Sequence, residues 1–254
     1  MSPISSISLL PLGHADEGKI TRLYRYLELY SEGTPPHNSI FIFAPATGPL
    51  DLGSGARSDD QLLIVDPPTD LSTRFKVGDQ TAVLFTSAPT PVTVPLLQTQ
   101  PGGLAHIRIG EHFLDIYSQQ HGALVHLPAL GILCGGNFGS DSTVPQLAEG
   151  SDGSDELETL RLLARLVKQH RLSLYIPRVG NELTDKVVVM EKLAGDVGYI
   201  NNLRRAITPL IMRGESLEAV NDVAERALPS DRRTPLALTT HEQNVTTLVA
   251  ALMR

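Results

Sequence analysis

The chain has 254 residues, of which 41% are apolar and 19% charged, and its 21 Lys+Arg against 28 Asp+Glu give a formal charge of -7. That composition supports a packed core in one large domain or two small ones and excludes disorder. The acidic balance excludes a general binder of nucleic acid or anionic membrane, which needs a basic face.

The opening stretch, MSPISSISLLPLGHADEG, has no basic segment, and Pro11 breaks its short apolar run. It does not read as a signal peptide, so a soluble cytoplasmic protein is expected. No apolar run reaches the roughly 18 residues of a spanning helix. Residues 16–32 read as an amphipathic helix with Ile20, Leu23, Leu27 and Tyr30 on one face and Asp16 and Glu17 at the start. TPPHN (34–38) stops it, which makes residues 1–35 an N-terminal helical extension. SIFIFAP (39–45) reads as a strand, followed by a loop rich in Gly, Pro and Asp (46–60). QLLIVDPP (61–68) and QTAVLFTSAP (80–89) are further apolar runs. LAHIRIGEHFLDIY (104–117) and GALVHLPALGILCGG (122–136) read as strands joined by turns, one of them around Pro128. Continuous apolar runs of this kind suit strands covered on both faces.

A helix is then expected from Asp155, with Glu158 completing a capping box and Leu160, Leu163, Ala164 and Val167 forming its stripe. LSLYIP (172–177) is one more buried strand. From residue 184 to the end the pattern is helical. Tyr199, Leu203 and Ile207 share a face, and Pro209 should kink or end their helix. Ser216 can cap a helix carrying Leu217, Val220, Val223, Ala224 and Ala227. Thr240 with Gln243 suggests another capping box before Val245, Leu248, Val249 and Leu252. Strands mixed with helices, then helices alone, indicate one α/β (α+β) domain over 1–254.

Candidate chemistry is sparse. The eight histidines (His14, His37, His106, His112, His121, His126, His170 and His241) show no HxH, HxxxH or HExxH spacing. They read as surface or hydrogen-bonded residues, the alternative being a site shared among His106, His112, His121 and His126. No GxSxG elbow is present. The single cysteine, Cys134, excludes an internal disulfide and a cysteine-based zinc cluster, and inside GILCGG it reads as a small buried side chain. GSGARS (53–58) and GGNFGS (135–140) lack the Lys-Ser/Thr of a phosphate loop and read as turns. Tyr24, Tyr26 and Tyr30 crowd the expected N-terminal helix and are candidates for a partner interface, since tyrosine offers an apolar ring with a polar tip. The alternative is that this helix packs on its own domain.

Taken in order, several segments resemble the metallo-β-lactamase fold. LLIVDPP is similar to the strand and turn after its first hairpin, and VLFTSAPTPV to the strand entering its histidine motif. HGALVHLPALGILCGGNF resembles its GS-x-x-L-x-LP hairpin, and LYIPRVG the stretch ending in PGHG. The closing helix with HEQNV resembles the family's last helix. The resemblance covers 60–205 closely and 206–254 loosely. It implies a four-layer αββα sandwich of two mixed sheets with helices outside, capped by the C-terminal helices.

On this alignment the family's H-x-H-x-D-H ligands fall on Ser87, Pro89, Pro91 and Val92. The next histidine falls on Ser118, the bridging aspartate on Asn137, and the last histidine on Val179. Zinc and iron require converging imidazole, thiolate or carboxylate lone pairs, and these seven side chains supply none. Without the metal, water returns from a pKa of about 7 to about 15.7, which removes the family's hydroxide nucleophile. The expected protein is therefore non-catalytic, without cofactor, and acts by binding as a subunit, scaffold or regulator of a partner protein. An alternative is metal-free or rebuilt chemistry in the vacated pocket, using His112, Asp115, His121 and Asn137. A third is a small ligand in that pocket, which would be mostly apolar.

Overall fold

The computed structural model describes residues 10–15, 18–45, 61–69, 71, 75, 79–87, 94–97 and 100–253. The chain forms two compact units, the first of Met1–Gly136 with Arg171–Thr184, the second of Asn137–His170 with Asp185–Arg254.

The first unit holds two mixed sheets. One runs in the order β1 (Leu10–Ala15), β2 (Gly18–Tyr24), β3 (Leu27–Glu32), β4 (His37–Ala44), β5 (Gln61–Val65), β6 (Thr81–Leu84). Its pairs are antiparallel except β5 with β6. The other runs β11 (Leu174–Pro177), β10 (Ile132–Gly136), β9 (Gly122–Leu127), β8 (His112–Gln119), β7 (Leu104–Ile109), antiparallel except β10 with β11. Leu23, Leu29, Ile42 and Leu63 of the first sheet share a buried core with Leu114, Val125, Ile132 and Ile176 of the second. Fully burying each such side chain is worth about 1.5–3 kcal/mol. The outer face of the first sheet is apolar as well, with Tyr30, Phe41, Phe43, Ile64 and Phe85 packed beside Leu71 and Phe75. The runs FIF, LLIV and VLF are continuous because alternate residues feed these two separate cores.

The expected N-terminal helix is a correction. Residues 18–32 are a hairpin, β2 turning through Arg25 and Tyr26 into β3, with Tyr26 in the left-handed region at φ 57. Leu23, Leu27 and Leu29 face the inter-sheet core, whereas Ile20 and Tyr30 face the opposite side. A turn inserted between two period-2 strands mimics the 3- and 4-residue spacing of a helix face. Asp16 and Glu17, and the loop 46–60, lie outside the described residues.

The second unit is helical, with α1 (Ser154–Gln169), α2 (Lys186–Met212), α3 (Leu217–Ala224) and α4 (Pro235–Leu252). Two local expectations change here, and a third narrows because Pro209 does not end its helix. Helix α1 starts after Gly153, at φ 89, so Asp155 and Glu158 form no capping box. Glu156 does the anchoring instead, accepting from the Ala148 N–H at 2.9 Å and the Ser151 hydroxyl at 2.5 Å. Helix α2 continues past Pro209 to Met212 and stops before Gly214, whose φ of 70 suits a glycine C-terminus. Helix α4 begins earlier than Thr240, because Thr234 caps the Ala237 N–H at 3.1 Å and Pro235 occupies the first helical position. The Ser216 cap is present, its hydroxyl accepting from the Ala219 N–H at 3.2 Å. None of the described helices is long and apolar enough to cross a membrane.

Candidate functional site

Strands β5, β6 and β11 end near one another, and the residues that follow them carry a cluster of polar groups. Asp66 follows β5 with φ 52, a strained conformation for a non-glycine residue. Four bonds hold it there. Its N–H donates to the Leu84 carbonyl at 2.8 Å, its carbonyl accepts from the Ser39 hydroxyl at 2.6 Å, and its carboxylate accepts from the Thr86 N–H at 2.9 Å. The Thr86 hydroxyl donates to the second carboxylate oxygen. Burial pushes the Asp66 carboxyl up, while Arg178 and the Thr86 bonds pull it down.

Arg178 follows β11. Its backbone is fixed from two sides, the N–H donating to Gly136 at 2.8 Å and the carbonyl accepting from Asn38 at 2.8 Å. The Asn38 amide also donates to the Pro177 and Gly180 carbonyls at 2.8 Å. The half-buried guanidinium donates to the buried Ser87 hydroxyl. Gly122 and Gly136 press on the same segment, where an added Cβ would stand 2.5 Å and 2.8 Å from the Thr86 carbonyl oxygen.

Of the expected pocket residues, Ser87 is in this cluster. Val179 is half-buried and bridges to His37 across the β4 start. Ser118 is buried on β8, with its backbone bonded to Gly102 and Gly103. Asn137 opens the second unit, and Pro89, Pro91 and Val92 lie outside the described residues. The zinc or iron that a metallo-β-lactamase fold implies does not fit this donor set. The Ser87 oxygen already accepts from a permanent cation, against which a divalent ion would be repelled. Ser118, Asn137 and Val179 add no imidazole or carboxylate.

His112, Asp115 and His121, the first-unit residues of the rebuilt-chemistry reading, are not brought together. His112 begins β8, its Nε2 2.7 Å from the Arg25 carbonyl oxygen, and burial pushes its pKa down. Asp115 points to the opposite face of β8, and His121 lies in the turn beyond its far end. Asp115 instead stands between His106 Nδ1 at 2.6 Å and His126 Nδ1 at 3.8 Å, neighbours on β7 and β9. Among the described residues no three His, Cys, Asp or Glu are arranged to hold a metal ion. Cys134 is buried and burial pushes its thiol up, so it is a poor nucleophile.

The tyrosine expectation divides. Tyr30 is fully buried against Phe75 and cannot face a partner. Tyr24 is 43% exposed, and Tyr26 is half-buried beneath the Arg25 guanidinium. Tyr24 borders a cavity of about 240 Å³ with His112, Phe113 and Leu130. Tyr26 borders a second, of about 510 Å³, with Arg25 and Phe43, and Glu111 lies on both.

Residues that sequence reasoning passed over are Asp66, Thr86 and Arg178. Arg178 sits inside the PRVG stretch, one position before Val179, and nothing in that motif marks it as functional. No family model matches this chain, and no curated protein matches it. Solved structures do. A beta-lactamase domain protein from Burkholderia ambifaria is 11% identical, with 95% of this chain and 88% of that one covered at a TM-score of 0.56. The stereoselective inverting sec-alkylsulfatase from Pseudomonas sp. is 12% identical, with 92% of this chain and 49% of that one covered at 0.55. At these identities the likeness reaches the fold alone, and the chain has a metallo-β-lactamase-type α/β fold built on two mixed sheets.

Proposed function

We propose that this chain acts by binding, as a subunit, scaffold or regulator of a partner protein, without metal-hydroxide hydrolysis. The observation that carries this reading is the Arg178 guanidinium on Ser87, a fixed cation on the first of the ligand positions. Purified protein, exposed to excess zinc and then desalted, is expected to retain well under one equivalent of zinc, iron or manganese by elemental analysis. One equivalent or more, tightly held, would end the reading.

The partner face of this reading is the end of the sandwich where the β2–β3 and β7–β8 hairpins turn. Tyr24 and Phe113 are exposed there, the latter at 58%, with Arg25, Arg108 and Glu111 around them. Exposed aromatics rimmed by arginine are the side chains that dominate protein interfaces. In affinity purification from source cells, a partner held by the natural chain should be lost from the Tyr24→Ser, Tyr26→Ser double variant. Equal retention by both chains would show that the partner docks elsewhere.

A further inference from the structure

Arg178 has more binding capacity than the described residues around it use. A guanidinium carries five N–H donors in a fixed fork. One of its nitrogens donates to Ser87, and among the described residues no carboxylate lies within ion-pair distance of it. Arg178 acts on Asp66 from nearby without an ion-pair contact, and the Asp66 carboxyl is engaged instead by the Thr86 N–H and hydroxyl. The residue is half-buried, a setting in which charge is poorly screened.

The group is also held in advance. Arg178 is bonded through both its N–H and its carbonyl, and the residues on either side are clamped by the Asn38 amide. Ser87 is positioned by a backbone segment against which Gly122 and Gly136 are packed too closely to admit a Cβ. Rigid support of this kind lowers the ordering cost of binding. Asp66, Ser87 and Arg178 follow the carboxyl ends of β5, β6 and β11, and β5/β6 and β10/β11 are the parallel pairs of the two sheets. Carboxyl ends of parallel strands are where open α/β sheets collect ligands.

We propose that Arg178, steadied by Ser87, anchors an oxyanion-binding site that takes the carboxylate, phosphate or sulfate head of a small organic ligand. The free edge of the guanidinium fork receives two oxygens of the head, a geometry that lysine cannot reproduce. This site is independent of the hairpin face carrying Tyr24, and loss of either leaves the other intact.

Titration calorimetry of the full chain with benzoate, phenyl phosphate and phenyl sulfate tests the proposal, since the phenyl body is constant and only the head changes. Saturable one-site binding of at least one probe is expected, and the preferred head identifies the ligand class. Arg178→Gln should weaken that probe by about 10- to 100-fold, the loss of hydrogen bonds to a charged group. Arg178→Lys should also weaken it, and Ser87→Ala should do so by less. A readout that needs no variant is phenylglyoxal labelling of the natural chain, mapped by mass spectrometry. Labelling of Arg178 should slow in the presence of the binding probe. Absence of saturable binding by all three probes, unchanged binding in Arg178→Gln, or unprotected labelling of Arg178 would each overturn the proposal.

Discussion

Gly122 stands at φ 138, and an added Cβ would lie 2.5 Å from the Thr86 carbonyl oxygen and 2.8 Å from the Ser87 nitrogen. Both obstacles are backbone, so neither can swing aside as a side-chain tip would. Gly122→Ala is therefore expected to cost about 2–4 kcal/mol, combining backbone strain with overpacking. Gly198 is the opposite case. It lies inside α2 with nothing within 4 Å of its ideal Cβ. Gly198→Ala should stabilise by about 0.5–1 kcal/mol, because alanine loses less backbone entropy in a helix. Urea unfolding of the two variants checks both signs, and equal effects would show that local geometry does not decide them. The sequence places Gly122 at the start of an apolar strand and Gly198 in a helical run, but it does not show that Thr86 and Ser87, about 35 positions earlier, press on Gly122.

The β2–β3 hairpin shows why an element can be misread while its residues are read correctly. Ile20, Leu23, Leu27 and Tyr30 stand out in the sequence as apolar positions, and all four are buried. Their spacing fits a helix because the turn at Arg25 and Tyr26 restarts the alternation out of phase. The informative residue is Glu28. It is fully buried on the same strand face as Tyr30 and lies directly across from Arg22, whose Nε and Nη2 both donate to Oε1, at 3.1 Å and 2.7 Å. A helix would place residues six apart on different faces, whereas antiparallel strands pair them. Arg22→Ala removes both donated bonds and is expected to cost about 1–3 kcal/mol in urea unfolding. A change below roughly 0.3 kcal/mol would mean that Glu28 finds equivalent partners elsewhere. Helix ends were more legible. The Ser216 cap is legible because its oxygen acts on a neighbour three residues away, and the Thr234-Pro235 pair carries the same local signal for the start of α4.

At the scale of the molecule, the frame was legible because it needs only the order of apolar runs, and at 11–12% identity the solved structures still share it. What fills the centre was not, because Asp66, Ser87 and Arg178 meet only through folding. The second unit repeats the point. Asp196 on α2 and Arg232, 36 positions later, form a buried ion pair, and Asp196 also accepts from the Gly139 N–H at 2.6 Å. Nothing in their spacing predicts it. Two effects compete at Asp196, burial raising its pKa and Arg232 lowering it, and burial prevails, pushing the carboxyl up to about 6 from an ordinary 3.8. Between those two values the folded chain holds a proton that the unfolded chain has released. Stability from this group is thus full below pH 3.8 and is lost as pH rises through about 6. Asp196→Asn abolishes that dependence, so the stability advantage of the natural chain over the variant should shrink between pH 4 and 6.5, measured by urea unfolding at each pH. An advantage that grows over the same range would mean that Arg232 outweighs burial, with the carboxyl held below its ordinary value and the pair ionised throughout.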